Sequence, residues 1–156
     1  MRFEKKIEVG TDFCNKTMFR KDELMKKEFL SPSTLGTPVG YSQLVTVQGG
    51  TLILLSGQIP VNAQNELVGK NDLATQTKQV FENIGLALKA VDATFTDVVK
   101  LTYYIVNYKF EYRQTILKVR DEYVSLERPP ASTLIGVQAL ALPDFLIEIE
   151  AIAFVE

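Results

Sequence analysis

The chain has 156 residues, of which 46% are apolar and 23% are charged, and its 17 basic and 19 acidic side chains give a formal net charge of −2. This composition indicates one folded domain, because it is too apolar for disorder and has no apolar run of about 18 residues that could span a membrane. The balanced charge and the lack of a basic block argue against a nucleic-acid partner. The amino terminus lacks the apolar stretch of a secretory signal, so a cytoplasmic location is expected.

The sequence contains no histidine. Ser-His-Asp and Cys-His nucleophiles, histidine general bases and HExxH zinc sites are therefore excluded. Neither G-x-x-x-x-G-K-[ST] nor G-x-G-x-x-G occurs, and no acidic loop has calcium-binding spacing, so no metal is expected. Cys14 is the only cysteine and can form no disulfide within the chain. Any chemistry must use carboxylates, hydroxyls, backbone amides or a bound water.

Residues 1–38 have an irregular pattern, which we interpret as an amino-terminal extension packed on a core domain of residues 39–156. Within it, Arg2–Val9 is predicted to be a strand and Lys21–Phe29 a short helix. Further on, Leu44–Val47 and Thr51–Leu55 flank the pair Gly49-Gly50. Two β-rich runs around a glycine pair predict a β-hairpin.

The rest of the chain alternates between helical and extended periodicity. Asn71 or Asp72 can cap the first helix, and Pro129-Pro130 excludes helix beyond the second. We predict helices at about 72–91 and 112–125, and strands at 98–106, 133–138 and 145–155. The order β-β-α-β-α-β-β predicts an α+β fold with one mixed sheet and both helices packed on one face.

The last strand contains two glutamates, Glu148 and Glu150, that alternation places on the same face. If both are partly desolvated, their repulsion raises the pKa of at least one carboxyl group. Such a carboxylate could orient or deprotonate a water. The alternative is that both face solvent or pair with lysines across the sheet.

Five segments, in this order, resemble sequence blocks of the YjgF/RidA (reactive-intermediate imine deaminase, endoribonuclease L-PSP-like) superfamily. They are Gly40–Gln43, Ser56–Pro60, Asp97–Thr102, Arg128–Thr133 and Ile147–Ala153. The match runs from about residue 40 to 154 and is specific because the order of all five blocks is kept. The resemblance implies a chorismate-mutase-like subunit assembled as a homotrimer, with three clefts between neighbouring subunits. Active relatives hydrolyse enamines and imines derived from amino acids, release ammonia, and need no metal or cofactor.

The resemblance also implies roles for individual residues. Glu148 aligns with a catalytic, water-orienting glutamate, and Tyr41 with a tyrosine that lines the cleft. Ser132 stands where the deaminating relatives have an arginine that binds the substrate carboxylate through two parallel hydrogen bonds. Ser132 and Thr133 can still donate hydroxyl hydrogen bonds to a ligand, and Arg128 could reach the site in place of the missing arginine.

Three functions stay open from the sequence. The first is a RidA-like protein that binds a small metabolite in intersubunit clefts without efficient deamination of 2-imino acids. The second is a cofactor-independent hydrolase or deaminase that acts on an enamine, imine or related group through a water oriented by Glu148. The third, RNA cleavage, is disfavoured by the net charge and by the lack of histidine.

Overall fold

The computed structural model describes residues 26–155, which form six strands, two helices and a short 3-10 turn at Phe95–Asp97. In chain order the elements are β1 (Lys26–Leu30), β2 (Leu44–Gln48), β3 (Thr51–Gln58), α1 (Leu73–Lys89), β4 (Val98–Val106), α2 (Phe110–Arg120), β5 (Ala131–Val137) and β6 (Ile147–Val155). The predicted α+β class is confirmed. No helix within this described part of the chain is both long and apolar enough to cross a membrane.

The main sheet has four strands in the order β3-β6-β4-β5. Strand β6 runs antiparallel to both β3 and β4, whereas β4 and β5 are parallel and are joined through α2, so the sheet is mixed as predicted. Strands β1 and β2 form a separate antiparallel pair. Strand β1 lies in the proposed extension and pairs with a strand beyond the proposed boundary at residue 38.

The predicted hairpin is wrong in its pairing, although both strands exist. Strand β2 pairs with β1, and β3 pairs with β6. Gly49 and Gly50, at φ 73° and 56°, carry the chain from one sheet to the other, a backbone conformation that glycine adopts at little cost. The sequence pattern identifies strands but not their partners, and β3 finds its partner about 100 residues later.

The predicted helix at Lys21–Phe29 is wrong where the structure describes it, because residues from Lys26 onward form β1. Lys26 pairs with Gln48 and Phe29 with Val45, so pairing with β2 overrides the local helical pattern. The remainder of that segment, the predicted strand Arg2–Val9 and Cys14 lie outside the described residues.

Helix α1 begins as predicted at the N-cap Asp72, whose carboxylate accepts the N–H groups of Ala74 and Thr75. The helix packs its apolar side on β3 and β6 and against α2. The fully buried apolar side chains of this core are Val80, Phe81, Ile84, Leu88, Leu101, Ile105, Ile116, Ile147, Ile149 and Ala153. The core therefore lies between the helices and one face of the main sheet.

Gln76 is a buried polar residue of α1 that fixes two loops to the helix. Its Nε2 donates to the carbonyl oxygens of Gly69 and Asp144, at 3.1 and 2.9 Å, and its Oε1 accepts the N–H of Leu146 at 2.8 Å. Gln76 is 0% exposed, so these three backbone groups depend on it for their hydrogen bonds. It thereby positions the chain just before β6.

Among residues 26–155 no helix covers the opposite face of the main sheet, and we call it the open face. Leu52 and Leu54 on β3 are 55% and 71% exposed there, and Ile135 on β5 is 38% exposed. Phe154 of β6 belongs to the same side by alternation but is buried. Exposed apolar side chains therefore lie on the β3 side of the two β6 glutamates, and Ile135 lies beyond β4 on their other side.

Candidate functional site

Glu148 and Glu150 share the open face, as alternation predicts, because the residues between and around them on β6 are buried in the core. Across the β4–β6 pair, Tyr104 lies opposite Glu148, and Thr102 lies opposite Glu150. The Tyr104 hydroxyl donates to Glu150 Oε2 at 2.9 Å, and this bond to a carboxylate raises the pKa of Tyr104. Tyr104 therefore stays protonated, and its hydroxyl remains hydrogen-bonded to the Glu150 carboxylate.

Glu148 is half-buried and, among residues 26–155, makes no side-chain hydrogen bond. Burial raises the pKa of Glu148 above its ordinary value, and the neighbouring charge of Glu150 raises it further. The carboxyl group lies against Gly57 of β3, where a Cβ atom would overlap its Oε1. Because Gly57 has no side chain, the Glu148 carboxyl group can lie directly against the backbone of β3.

Thr133 lies on the same open face, on the other side of β4. It is opposite Thr102 in the parallel pair, and its Oγ1 accepts a short hydrogen bond from Lys100 Nζ. Since adjacent strands are about 4.8 Å apart, Thr133 on β5 is roughly two strand spacings from the β6 glutamates. Glu148 and Thr133 therefore border one polar patch, with Lys100 and Tyr104 between them.

Ser132 and Tyr41 lie on the other side of the sheet. Ser132 is opposite Leu101, which is fully buried beneath the helices. Together with Tyr41 it lines a cavity of about 140 Å³ between β5 and α2, which we call the α2 cavity. Further lining residues are Tyr103, Arg113, Arg120 and Leu134.

The structure thus divides the four predicted site residues into two pairs. Tyr41 and Ser132 line the α2 cavity, whereas Thr133 and Glu148 lie on the open face. The cause is the two-residue period of a strand, which sends Ser132 and Thr133 to opposite faces. One subunit does not bring all four into a single pocket.

Arg128 is not at the Ser132 site. Its guanidinium lies 5.1 Å from the centre of the Phe29 ring, and it borders a depression with Lys27 and Asp97. That depression shares no lining residue with the α2 cavity. Arg128 therefore packs against the β1 strand rather than replacing an arginine at position 132.

Three residues that sequence reasoning missed shape the two sites. Gly57 and Tyr104 border the glutamates, and a signal for Tyr104 existed, since alternation along the predicted strand 98–106 puts it on the same side as Lys100 and Thr102. Arg120 of α2 is only 5% exposed; its Nη1 donates to the Gly40 carbonyl oxygen at 2.7 Å and its Nε to Asp121 Oδ1 at 2.9 Å. No local pattern indicates a buried arginine whose partner is 80 residues away.

A sequence model of the family described as Endoribonuclease L-PSP matches residues 32–155. The chain belongs to the YjgF/RidA superfamily. A RutC family protein of Pyrococcus abyssi is 36% identical over 134 residues, which cover 85% of this chain and 100% of the relative. The crystal structure of YyfB, a Rid family protein of Yersinia pestis, matches with a TM-score of 0.76 and 39% identity over 83% of this chain and 98% of that one.

Another superfamily relative has a named activity. The 2-iminobutanoate/2-iminopropanoate deaminase of Dermatophagoides farinae is 32% identical over 131 residues, covering 83% of this chain and 98% of the relative. The superfamily thus includes imine deaminases of nearly the same length as the matched region.

Proposed function

We propose that this YjgF/RidA member binds a small metabolite in clefts between the subunits of a homotrimer. The observation that carries the proposal is the division of the site residues between two faces of the sheet. Ser132 and Tyr41 lie on the helix side, and Glu148 and Thr133 on the open face. In a homotrimer, the open face of one subunit can pack beside strand β5 of its neighbour. That arrangement would bring Glu148 of one subunit close to Ser132 of the next.

The apolar part of the open face supports assembly. Leu52, Leu54 and Ile135 expose 55%, 71% and 38% of their surface there. A sheet face with exposed apolar side chains normally packs against another layer. Burial of this surface against other copies of the chain would enclose the polar patch around Glu148.

The same proposal holds that the protein is not an efficient deaminase of 2-imino acids. Such substrates carry a carboxylate, and Ser132 offers one neutral hydroxyl where the deaminating relatives are expected to have a guanidinium. Loss of a buried charged partner costs about 2–5 kcal/mol of binding. Turnover of 2-imino acids is therefore expected to be slow, while ligand binding persists.

One observation favours a second function, hydrolysis of an enamine, imine or related group. Glu148 has a raised pKa, is half-buried and is not engaged by the Tyr104 hydroxyl, which bonds Glu150 instead. A carboxylate with these properties can accept a proton from a bound water and return it during the reaction. This function would use Glu148 as its catalytic residue and would not require the arginine.

The deciding experiment measures ammonia release from freshly generated 2-aminoacrylate and from longer imines. The native protein is compared with Ser132→Arg, Glu148→Gln and, as a matched control, Glu150→Gln. A silent native protein that gains activity with Ser132→Arg supports the binding function. Native activity that is lost in Glu148→Gln but kept in Glu150→Gln establishes the hydrolase function instead.

Two further measurements test the trimeric assembly and the alternative that the protein cleaves RNA. Sedimentation equilibrium of the native protein should give three times the 17.5 kDa chain mass, and a monomer at all concentrations contradicts the intersubunit cleft. RNA binding that weakens with salt would argue for the ribonuclease function, which the net charge of −2 disfavours.

A further inference from the structure

A buried guanidinium holds the loop that carries Tyr41. Arg120, the last residue of α2, is 5% exposed, and its Nη1 donates to the Gly40 carbonyl oxygen at 2.7 Å. Its Nε and Nη2 both donate to Asp121 Oδ1, at 2.9 and 2.5 Å. A carboxylate that accepts from two nitrogens of one guanidinium restricts the orientation of that planar group. Asp121 therefore directs Arg120 toward the residue that precedes Tyr41.

The backbone of Gly40 allows this contact to be close. Its φ of 74° lies in the left-handed region, and a Cβ atom there would lie 2.7 Å from Arg120 Nη2. Any other residue at position 40 would therefore be strained and would also collide with the guanidinium. The position of Gly40 thus depends directly on the position of Arg120.

The residue on the other side of Tyr41 is held by the chain that leads into β5. Ser42 is 5% exposed, its Oγ donates to the Pro129 carbonyl oxygen at 2.7 Å, and its N–H donates to the Pro130 carbonyl oxygen at 3.2 Å. Ser42 also forms a parallel bridge with Ala131, the first residue of β5. Tyr41 is therefore fixed through both of its neighbours.

These backbone contacts set the distance between the two predicted residues of the α2 cavity. Tyr41 and Ser132 both line the cavity, but their side chains are not hydrogen-bonded to each other. Their relative position depends on Ser42, which is bound next to β5, and on Gly40, which is bound to α2 through Arg120. The charged end of Arg120 is occupied by these contacts, so its effect on a ligand is exerted through Tyr41.

We propose that Arg120 is a positioning residue, which fixes Tyr41 in the ligand cleft by holding Gly40 and does not itself bind the ligand. This inference rests on the proposed function, because it assigns the residue that keeps Tyr41 beside Ser132. Asp121 takes part as well, since it orients the guanidinium. Loss of either side chain should let Tyr41 move while the rest of the fold persists.

The test is fluorine NMR of the full chain labelled with 3-fluorotyrosine, whose six tyrosines give six signals. Tyr41→Phe identifies the Tyr41 signal. Arg120→Met should shift and broaden this signal, because the ring then samples several orientations, and should leave the signal of Tyr104 on the open face in place. The matched control is Lys118→Met, which removes a positive charge from the same last turn of α2 and should not move the Tyr41 signal.

Two further variants separate positioning from a loss of folding. Asp121→Ala alters a side chain that is 39% exposed, so it should fold even if Arg120→Met does not. It should shift the Tyr41 signal in the same direction, by a smaller amount. Arg120→Lys keeps the charge and one donor for the Gly40 carbonyl but loses the planar group, so it should restore the Tyr41 signal in part.

Ammonia release supplies a readout that a purely structural role would not change. The background is Ser132→Arg, which the proposed function expects to be active on 2-aminoacrylate. Adding Asp121→Ala should raise KM about tenfold and leave kcat within about twofold, because ligand binding is weakened and the reacting groups are kept. The same change should have no effect once Tyr41 is replaced by alanine, since no ring is then left to position.

Two outcomes overturn the proposal. One is an unmoved Tyr41 signal in the folded Arg120 and Asp121 variants, and the other is an equal effect of Asp121→Ala on KM with and without the Tyr41 ring. A failure of the proposed function has a different signature: Ser132→Arg then releases no ammonia, while the Tyr41 signal still responds to the Arg120 and Asp121 variants.

Discussion

Replacement of the buried Gln76 by leucine should strongly destabilise the protein. Gln76→Leu keeps nearly the same volume, so the main effect is the loss of three hydrogen bonds to Gly69, Asp144 and Leu146. Each buried backbone group left without a partner costs about 1–3 kcal/mol. Because loops relax and water can enter, we expect a total loss of about 3–5 kcal/mol in the free energy of unfolding.

Urea unfolding at one fixed protein concentration measures this loss, since the stability of an oligomer depends on concentration. The matched control is Gln79→Leu on the same helix, whose amide bonds only the Asn83 side chain at 2.9 Å and should cost less than about 1 kcal/mol. If Gln76→Leu cost no more than this control, the three contacts would not be holding the loops that precede β6.

Three other substitutions test the open face. If the proposed trimer buries the open face, Leu54→Glu should lower the sedimenting mass to that of a monomer, because it removes about 1–2 kcal/mol of apolar burial per subunit and places a charge in the proposed interface. An unchanged trimer mass would show that Leu54 lies outside the interface. Gly57→Ala should displace the Glu148 carboxylate and move its pKa in an NMR titration while the fold persists, and an unmoved titration would contradict the contact. Glu148→Gln should stabilise the protein at neutral pH but not in acid. The raised pKa of Glu148 makes the folded state bind its proton more tightly than the unfolded state does, so native stability falls as pH rises above about 4.5, and unfolding curves of both proteins across pH should diverge there.

Regular elements were predictable where local pattern and burial agree. Strand β4 has the predicted bounds, and its alternate residues Leu101, Tyr103 and Ile105 are buried, because one face of the sheet lies under the helices. Helix α2 ends at Arg120, earlier than predicted, yet Tyr123 still stacks on Phe81 at 5.0 Å. The apolar spacing therefore continued through a turn that is not helical.

Strand partners and buried charges could not be predicted, because both depend on distant residues. The partner of β3 is β6, and Arg120 bonds the distant Gly40 carbonyl as well as the adjacent Asp121. The shared face of Glu148 and Glu150 followed from a two-residue period. The separation of Ser132 from Thr133 follows from the same period, but which face each takes depends on where α2 packs. The roles of these residues in ligand binding stay predictions for the experiments above.

The central place of β6 has a consequence for how the protein is made. Strand β6 is the last strand in chain order, yet it lies between β3 and β4 and pairs with both. On the ribosome, β3 and β4 thus emerge long before the strand that joins them, and each presents unpaired edges while synthesis continues. The four-stranded sheet can therefore form only after β6 has been synthesised, and until then the edges of β3 and β4 that β6 will cover are open to non-native pairing.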